Sequence, residues 1–494
     1  MLDTISTKVR AVSEALETTS PRIISAWVLA VSILAIVPMW LNYSIIPKDG
    51  AHFYVPVAEL FLQGSFREAI FGPYYPMLLP LYEFSIFLMA KLTGVGLETS
   101  GRLVSALCFV LGGFGLFKLT EALFKIRLIA VLSLLLYLSN RELLKCSTVC
   151  MKETMLICLV AWGNYCMVKG LEAQQKAPMY VTGCLLFVAG GLVRSTALIF
   201  LFTWAFVWAV HKRQGVLWRL VLVALPIVAV ITVYYLNIQE KLGLQVFRRS
   251  YALSSFVKYN FSLVEFGADA VIMMRQFLAK WYYLIAVFGA VGIYRLRRET
   301  YTRVFLSAFV VFFIICIIDG RVTVDRYIYA PVIALYPLAA YVLAQMLRSR
   351  RKIVQVIAIL AVVTFLGLWT QKALTLPDPD RVSRKEAGAW ILSQFGPKTD
   401  LVTNRQRVGF YADTTPFVII NFESLDNEKK NIARQLIYRK WATLADIGSQ
   451  GVLHMVVAID ITHRDGVLLK EKLESWGFVP DRTFGNILVY LPKS

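Results

Sequence analysis

Two acids and three arginines are the residues of this chain best suited to chemistry. Asp49 stands in Pro47-Lys48-Asp49-Gly50-Ala51-His52-Phe53-Tyr54, and Glu153 follows Lys152. Arg194 interrupts the apolar stretch Gly191-Leu192-Val193-Arg194-Ser195-Thr196, while Arg321 and Arg326 stand in Asp319-Gly320-Arg321-Val322-Thr323-Val324-Asp325-Arg326-Tyr327. A carboxylate can take a proton from an acceptor hydroxyl or amine, and two carboxylates can share a divalent metal. Guanidinium groups clamp phosphate through charge-assisted, often bidentate bonds. An anionic lipid phosphate leaving from a sugar needs such a clamp, because negative charge grows on it in the transition state. Each residue also has a plainer use. Asp49 suits the cap of a helix starting near Ala51, Glu153 suits a helix start, and Arg321 and Arg326 can pair with Asp319 and Asp325. His52 reads on its own as a packing or interface residue. Arg194 differs, since a lone arginine in so apolar a run needs a partner. Chemistry is indicated only if these groups meet.

The elements that must position them are membrane helices. Hydrophobic residues make up 57% of the 494 and charged residues 17%, against about 25% charge in a soluble domain; the mean hydropathy is +0.61. Runs such as Ala26–Trp40, Val304–Ile318 and Val354–Trp369 are almost free of charge, and each approaches the roughly 20 residues a helix needs to cross the hydrocarbon. The net charge of +20 gathers in short clusters between apolar runs: Lys212-Arg213 with Arg219, Arg295 to Arg303, and Arg348 to Lys352. Short basic loops of this kind mark the cytoplasmic side and argue against nucleic acid as a partner. The seven cysteines show no disulfide or zinc spacing.

Counting every apolar run gives twelve spans, and the charge rule then fails, because the basic loops at Lys118–Arg127, Lys169–Lys176, Arg295–Arg303 and Arg348–Lys352 would face outward. The segment to remove is Met77–Lys91. It is short, holds Pro80 and Glu83, and follows Gly72-Pro73-Tyr74-Tyr75-Pro76, features of a helix lying at the outer interface. The expected fold is therefore an α-helical polytopic membrane protein of about eleven transmembrane helices plus outer juxtamembrane helices. Residues 1–22 form a cytoplasmic lead-in, and 23–376 the membrane domain, with a first outer loop at 47–100. On this model Asp49, Glu153, Arg194, Arg321 and Arg326 all meet at the outer interface. After Leu376-Pro377-Asp378-Pro379, residues 377–494 read as a small extracytoplasmic α/β domain. Its expected strands are Asp400–Thr403, Phe417–Asn421, Leu453–Ile459 and Ile487–Leu491, and its expected helices Lys385–Phe395, Glu428–Ile447 and Asp465–Trp476.

The order of these features resembles the polytopic glycosyltransferases of the GT-C superfamily, which include protein O-mannosyltransferases, aminoarabinose–lipid A transferase and, more remotely, the oligosaccharyltransferase catalytic subunit. The residues that carry the resemblance are Asp49, Phe53-Tyr54, Ala58 and Gly64, then Tyr75-Pro76 and Pro80-Leu81, then Glu153, Gly191, Arg194-Ser195-Thr196, Arg326-Tyr327 and Pro331. It spans roughly residues 25–350. It implies a sugar transfer from a polyprenyl-phosphate carrier to a lipid, glycan or protein acceptor, at the periplasmic face of a bacterial inner membrane. Asp49 and Glu153 take the catalytic positions, with a divalent metal between them as a possible cofactor. Arg194, Arg321 and Arg326 contact the polyprenyl phosphate, and His52, Tyr54 and Tyr327 complete the substrate-binding set. Many members carry Asp-Glu where this chain has Asp49-Gly50, so a paired carboxylate is missing there. Two other readings stand beside the enzyme: a transporter or flippase of lipid-linked sugar, and a catalytically inactive protein of envelope-polysaccharide assembly.

Overall fold

In the computed structural model the described residues are 11–42, 50–71, 80–172, 177–210, 268, 271–272, 283–318 and 329–374. In the C-terminal part they are 379–397, 399, 401–403, 405–413, 417–419, 441–442, 456–462 and 466–492. They divide into two compact units. One comprises Met1–Trp40, Leu79–Tyr82 and Arg102–Leu374; the other comprises Leu41–Leu78, Glu83–Gly101 and Thr375–Ser494.

The first unit is a bundle of apolar helices. Among the described residues, four are long and apolar enough to cross a membrane: Pro21–Leu41, Leu97–Phe124, Glu153–Leu171 and Lys352–Gln371. Shorter apolar helices cover Arg127–Leu138, Pro178–Val193, Leu198–Val210, Ile285–Arg295, Thr300–Phe312 and Leu335–Leu347. The span expected near 217–236 lies outside the described residues. Leu34, Leu41, Ile353 and Leu360 stand exposed on the first and last of the long helices, as lipid-facing side chains do. Inside, small residues let helices approach closely. A Cβ on Gly292 would sit 2.6 Å from the Leu338 carbonyl oxygen, so only glycine lets Tyr283–Arg295 lie on Tyr329–Leu347. Buried polar groups find partners across helices, as when the Trp204 indole N–H donates to the Asn164 amide oxygen at 2.8 Å.

The bundle's two ends can be told apart by contacts. Arg127 Nη1 donates to the carbonyls of Leu16, Glu17 and Thr19 at 2.9, 3.0 and 2.6 Å, and Arg348 Nη2 donates to the Ser13 hydroxyl at 2.6 Å. The N-terminal segment, the loop before Arg127 and the loop at Arg348 therefore share one end. An even number of crossings must separate Ser13 from Arg127. Among the described residues, Pro21–Leu41 and Leu97–Phe124 are two long apolar helices between those positions. The helix found there, Leu81–Thr93, has 13 residues, about 20 Å against a hydrocarbon core of about 30 Å.

The second unit joins that helix to the C-terminal residues. The rings of Phe61, Phe66, Phe84 and Phe87 meet at centroid distances of 5.4 to 6.1 Å, tying Val55–Leu62, Phe66–Phe71 and Leu81–Thr93 together. The C-terminal part is a six-stranded sheet in the order β3-β2-β1-β4-β6-β5, with β1 Leu401–Thr403, β2 Phe417–Ile419, β3 Trp441–Ala442, β4 Val456–Asp460, β5 Phe478–Phe484 and β6 Ile487–Pro492. The first four strands are parallel, while β6 runs antiparallel to both β4 and β5. Ala387 and Ile391 of helix Pro379–Phe395 pack with Leu401, Val456, Ala458, Ile487 and Val489 in its core. Two expectations are corrected. Trp441-Ala442 pairs with β2 where a helix over Glu428–Ile447 was expected, because the open edge of β2 supplies backbone partners a helix would forgo. β5 was not foreseen.

Candidate functional site

Glu153 opens the helix Glu153–Glu172, so a helix-start role holds, but the residue does more. It is 1% exposed, and its Oε1 lies 3.5 Å from Arg194 Nη1. Arg194 ends the helix Ala177–Val193, its N–H bonded to the Gly190 carbonyl at 2.8 Å. The adjoining helix Glu153–Glu172 packs along it. The partner that Arg194 requires is thus Glu153. Among the described residues, Glu153 Oε2 is buried without a hydrogen bond. A buried carboxylate left half-satisfied costs free energy, and such unspent capacity is characteristic of sites that take a ligand.

The ledge before Glu153 is built from several directions. Asn140 caps the helix Arg141–Thr148 by accepting from the backbone N–H groups of Glu142 and Leu143 at 3.1 and 3.0 Å, and its amide donates to the Tyr336 hydroxyl at 2.5 Å. The Ser105 hydroxyl bonds both the N–H and the carbonyl of Met151, at 3.2 and 3.1 Å, and the Tyr82 hydroxyl braces Ser105 at 2.8 Å. Arg102 reaches two segments at once. Its Nε donates to the Thr148 carbonyl and its Nη2 to the Trp40 carbonyl, both at 2.9 Å, while its guanidinium lies 4.3 Å from the Trp40 ring centroid. It thereby joins the last turn of the first span to the ledge before Glu153. Arg102 was not among the residues singled out from the sequence; its signal is a lone arginine at the head of an otherwise apolar run.

Beyond Arg194 lies an apolar cavity of about 730 Å³, lined by Thr196, Leu198, Phe202, Phe206, Leu306 and Val310. Its first lining residue, Thr196, lies two positions from Arg194 in the chain.

Of the other expected site residues, Asp49, Arg321, Arg326 and Tyr327 lie outside the described residues, as do Asp319 and Asp325. The backbone of His52 falls in the helical turn Gly50–Tyr54, and its side chain lies outside the description. Tyr54 is 2% exposed, in the core of the second unit. That turn packs against the helix Gln406–Tyr411 of the same unit.

This arrangement of a helical bundle, short helices after the first span and a C-terminal sheet has relatives among solved structures. The chain matches ArnT from Cupriavidus metallidurans bound to undecaprenyl phosphate, with a TM-score of 0.64 over 95% of this chain and 98% of that one, at 13% identity. The chain has the fold of the GT-C glycosyltransferases. A second GT-C match is the archaeal oligosaccharyltransferase AglB from Archaeoglobus fulgidus in complex with an inhibitory peptide and a dolichol-phosphate. Its TM-score is 0.53 at 13% identity, over 96% of this chain and 74% of that one. The arabinofuranosyltransferase AftD from Mycobacteria matches over 97% of this chain but 40% of its own, with a TM-score of 0.51 and 14% identity. The family model for dolichyl-phosphate-mannose-protein mannosyltransferase matches residues 75–236, which holds both Glu153 and Arg194. No curated protein sequence matches the chain.

Proposed function

We propose that this chain moves a sugar from a polyprenyl-phosphate carrier to an acceptor at the periplasmic face of a bacterial inner membrane. The observation that carries the reading is the Glu153–Arg194 pair, followed two residues along the chain by the Thr196 lining of an apolar cavity, which suits a donor with an anionic head and an oily tail. In that reading residues 23–376 are the transferase domain, 1–22 the cytoplasmic segment and 377–494 a periplasmic domain. Asp49 takes the proton from an acceptor hydroxyl or amine as its lone pair attacks the anomeric carbon. The bond from that carbon to the phosphate oxygen breaks, and the electron pair leaves with the lipid phosphate. Arg194, with Arg321 and Arg326, holds the charge that develops there. Glu153 fixes the Arg194 guanidinium, and His52, Tyr54 and Tyr327 contribute to the substrate site.

The Oε2 of Glu153, buried without a hydrogen bond among the described residues, fits a hard divalent cation. Such an ion, when bound, supplies positive charge near the departing phosphate. The residues' own work is to orient the acceptor, hold the phosphate and exclude water.

The reading is tested by incubating the purified protein with a labelled polyprenyl-phosphate sugar and a membrane-extract acceptor. Wild type should release the sugar, and Asp49→Asn should not, while still binding polyprenyl phosphate. Full transfer by Asp49→Asn would overturn the assignment. Donor binding by both forms with no transfer by either would favour the inactive assembly protein.

A further inference from the structure

The C-terminal sheet reverses its winding between β1 and β4. From β1 the chain proceeds outward to β2 and β3, then returns to place β4 on the other side of β1. In open α/β sheets the crevice beyond the carboxyl ends of two such strands is where ligands bind. Here β4 ends at Asp460 and β1 is followed at once by Arg405, so those residues stand at the crevice.

Asp460 is fully buried and completely engaged. Its Oδ2 accepts from Arg405 Nε at 2.8 Å and from Arg384 Nη2 at 3.1 Å, and its Oδ1 accepts from the hydroxyl and the N–H of Thr462 at 2.6 and 3.1 Å. One guanidinium would neutralise this carboxylate, yet two meet it. More positive charge lies close by. Arg407, half-buried on the helix Gln406–Tyr411, forms no ion pair among the described residues, and its pKa is pushed down to about 10. Burial is the first cause, and the charges of Arg381, Arg384 and Arg405 add to it. Arg384 also keeps a buried Nε–H without an acceptor among the described residues. A purely structural cluster would balance its charge within the fold. Among the described residues this one holds guanidinium groups together against their mutual repulsion, with the Arg384 Nε–H unspent.

We propose that Arg384, Arg405 and Arg407 form a binding site for a phosphate group in the crevice between β1 and β4, with Asp460 holding Arg384 and Arg405 in place. A phosphate offers several acceptor oxygens and up to two negative charges, which suits planar donor forks. The site uses none of the residues of the Glu153–Arg194 pair and stands whether or not the chain transfers sugar.

The test uses the full-length protein in a neutral detergent. Binding of radiolabelled inorganic phosphate is measured by equilibrium dialysis, with short-chain phosphatidic acid or phosphatidylcholine as competitor. Wild type should bind phosphate, and Arg407→Gln should bind at least ten-fold more weakly. Without phosphate, Arg407→Gln should unfold at a higher temperature than wild type, since it removes repulsion; a merely structural arginine would lower that temperature. Displacement by phosphatidic acid and not by phosphatidylcholine identifies a lipid headgroup as the source, and no displacement identifies a soluble phosphate; both support the site. Should Arg407→Gln fail to fold, Arg407→Lys decides, with weaker binding as the expected result. No phosphate binding by wild type, or undiminished binding by the folded Arg407 variant, would overturn the proposal.

Discussion

Two buried carboxylates, each facing arginine, stand in different parts of this molecule and are built to opposite specifications. Asp460 has both oxygens occupied, by four donors at 2.6 to 3.1 Å. Among the described residues, Glu153 has one ion-pair contact, at 3.5 Å, and a second oxygen without a hydrogen bond. A saturated carboxylate is fixed by its bonds and fixes what surrounds it. An unsaturated one retains capacity for something that arrives. On this view Asp460 is an anchor and Glu153 a working group, although burial alone would class them together.

The largest expected effect lies on the working side. Asp49→Asn should lower transfer by roughly 10²- to 10⁴-fold, the range of a lost general base, read in the sugar-release assay with thermal stability unchanged. On the anchor side, Asp460→Asn leaves two arginines facing each other and should cost about 3–5 kcal/mol of C-terminal domain stability, seen as faster proteolysis after residue 376. Acid should mimic it. Burial by itself raises the Asp460 pKa, but the bonds from Thr462 and Arg405 outweigh it and leave the value depressed. The stabilisation it gives is therefore complete above the ordinary carboxylate range near 4 and is lost as pH falls through the depressed folded value. Proteolysis of wild type should accelerate in that window, and Asp460→Asn should show no such rise.

Glu153→Gln reverses the pattern. It should cut transfer by roughly 100-fold, the scale of a misplaced substrate, with little loss of stability, because the amide oxygen still accepts from Arg194. A variant that unfolds while keeping its specific activity would erase the distinction between the two sites. The smallest effect is that of Thr462→Val, which removes one hydroxyl donor from Asp460 and should cost about 1.5 kcal/mol without touching transfer.

Hydropathy and charge made the membrane half largely legible. The low charge content placed the helices, and the basic loops singled out the stretch before Lys91, where the described helix Leu81–Thr93 has 13 residues. The demand of Arg194 for a partner was readable, but the partner was not, since no periodicity relates residue 153 to residue 194. The C-terminal sheet was only half visible. β5 reads Phe-Val-Pro-Asp-Arg-Thr-Phe, mostly exposed, with a register shift between Pro480 and Arg482. An edge strand with proline and a bulge loses the alternation that reveals strands. Asp460 gave a signal that went unused, an acid directly after an apolar strand in an α/β pattern.

Arg102 carries a mechanical consequence. By grasping the carbonyls of Trp40 and Thr148 together, it welds the top of the first span to the shelf that leads into Glu153. Neither piece can swing without dragging the other. Movement within the described bundle is thereby steered away from the framework beneath Glu153.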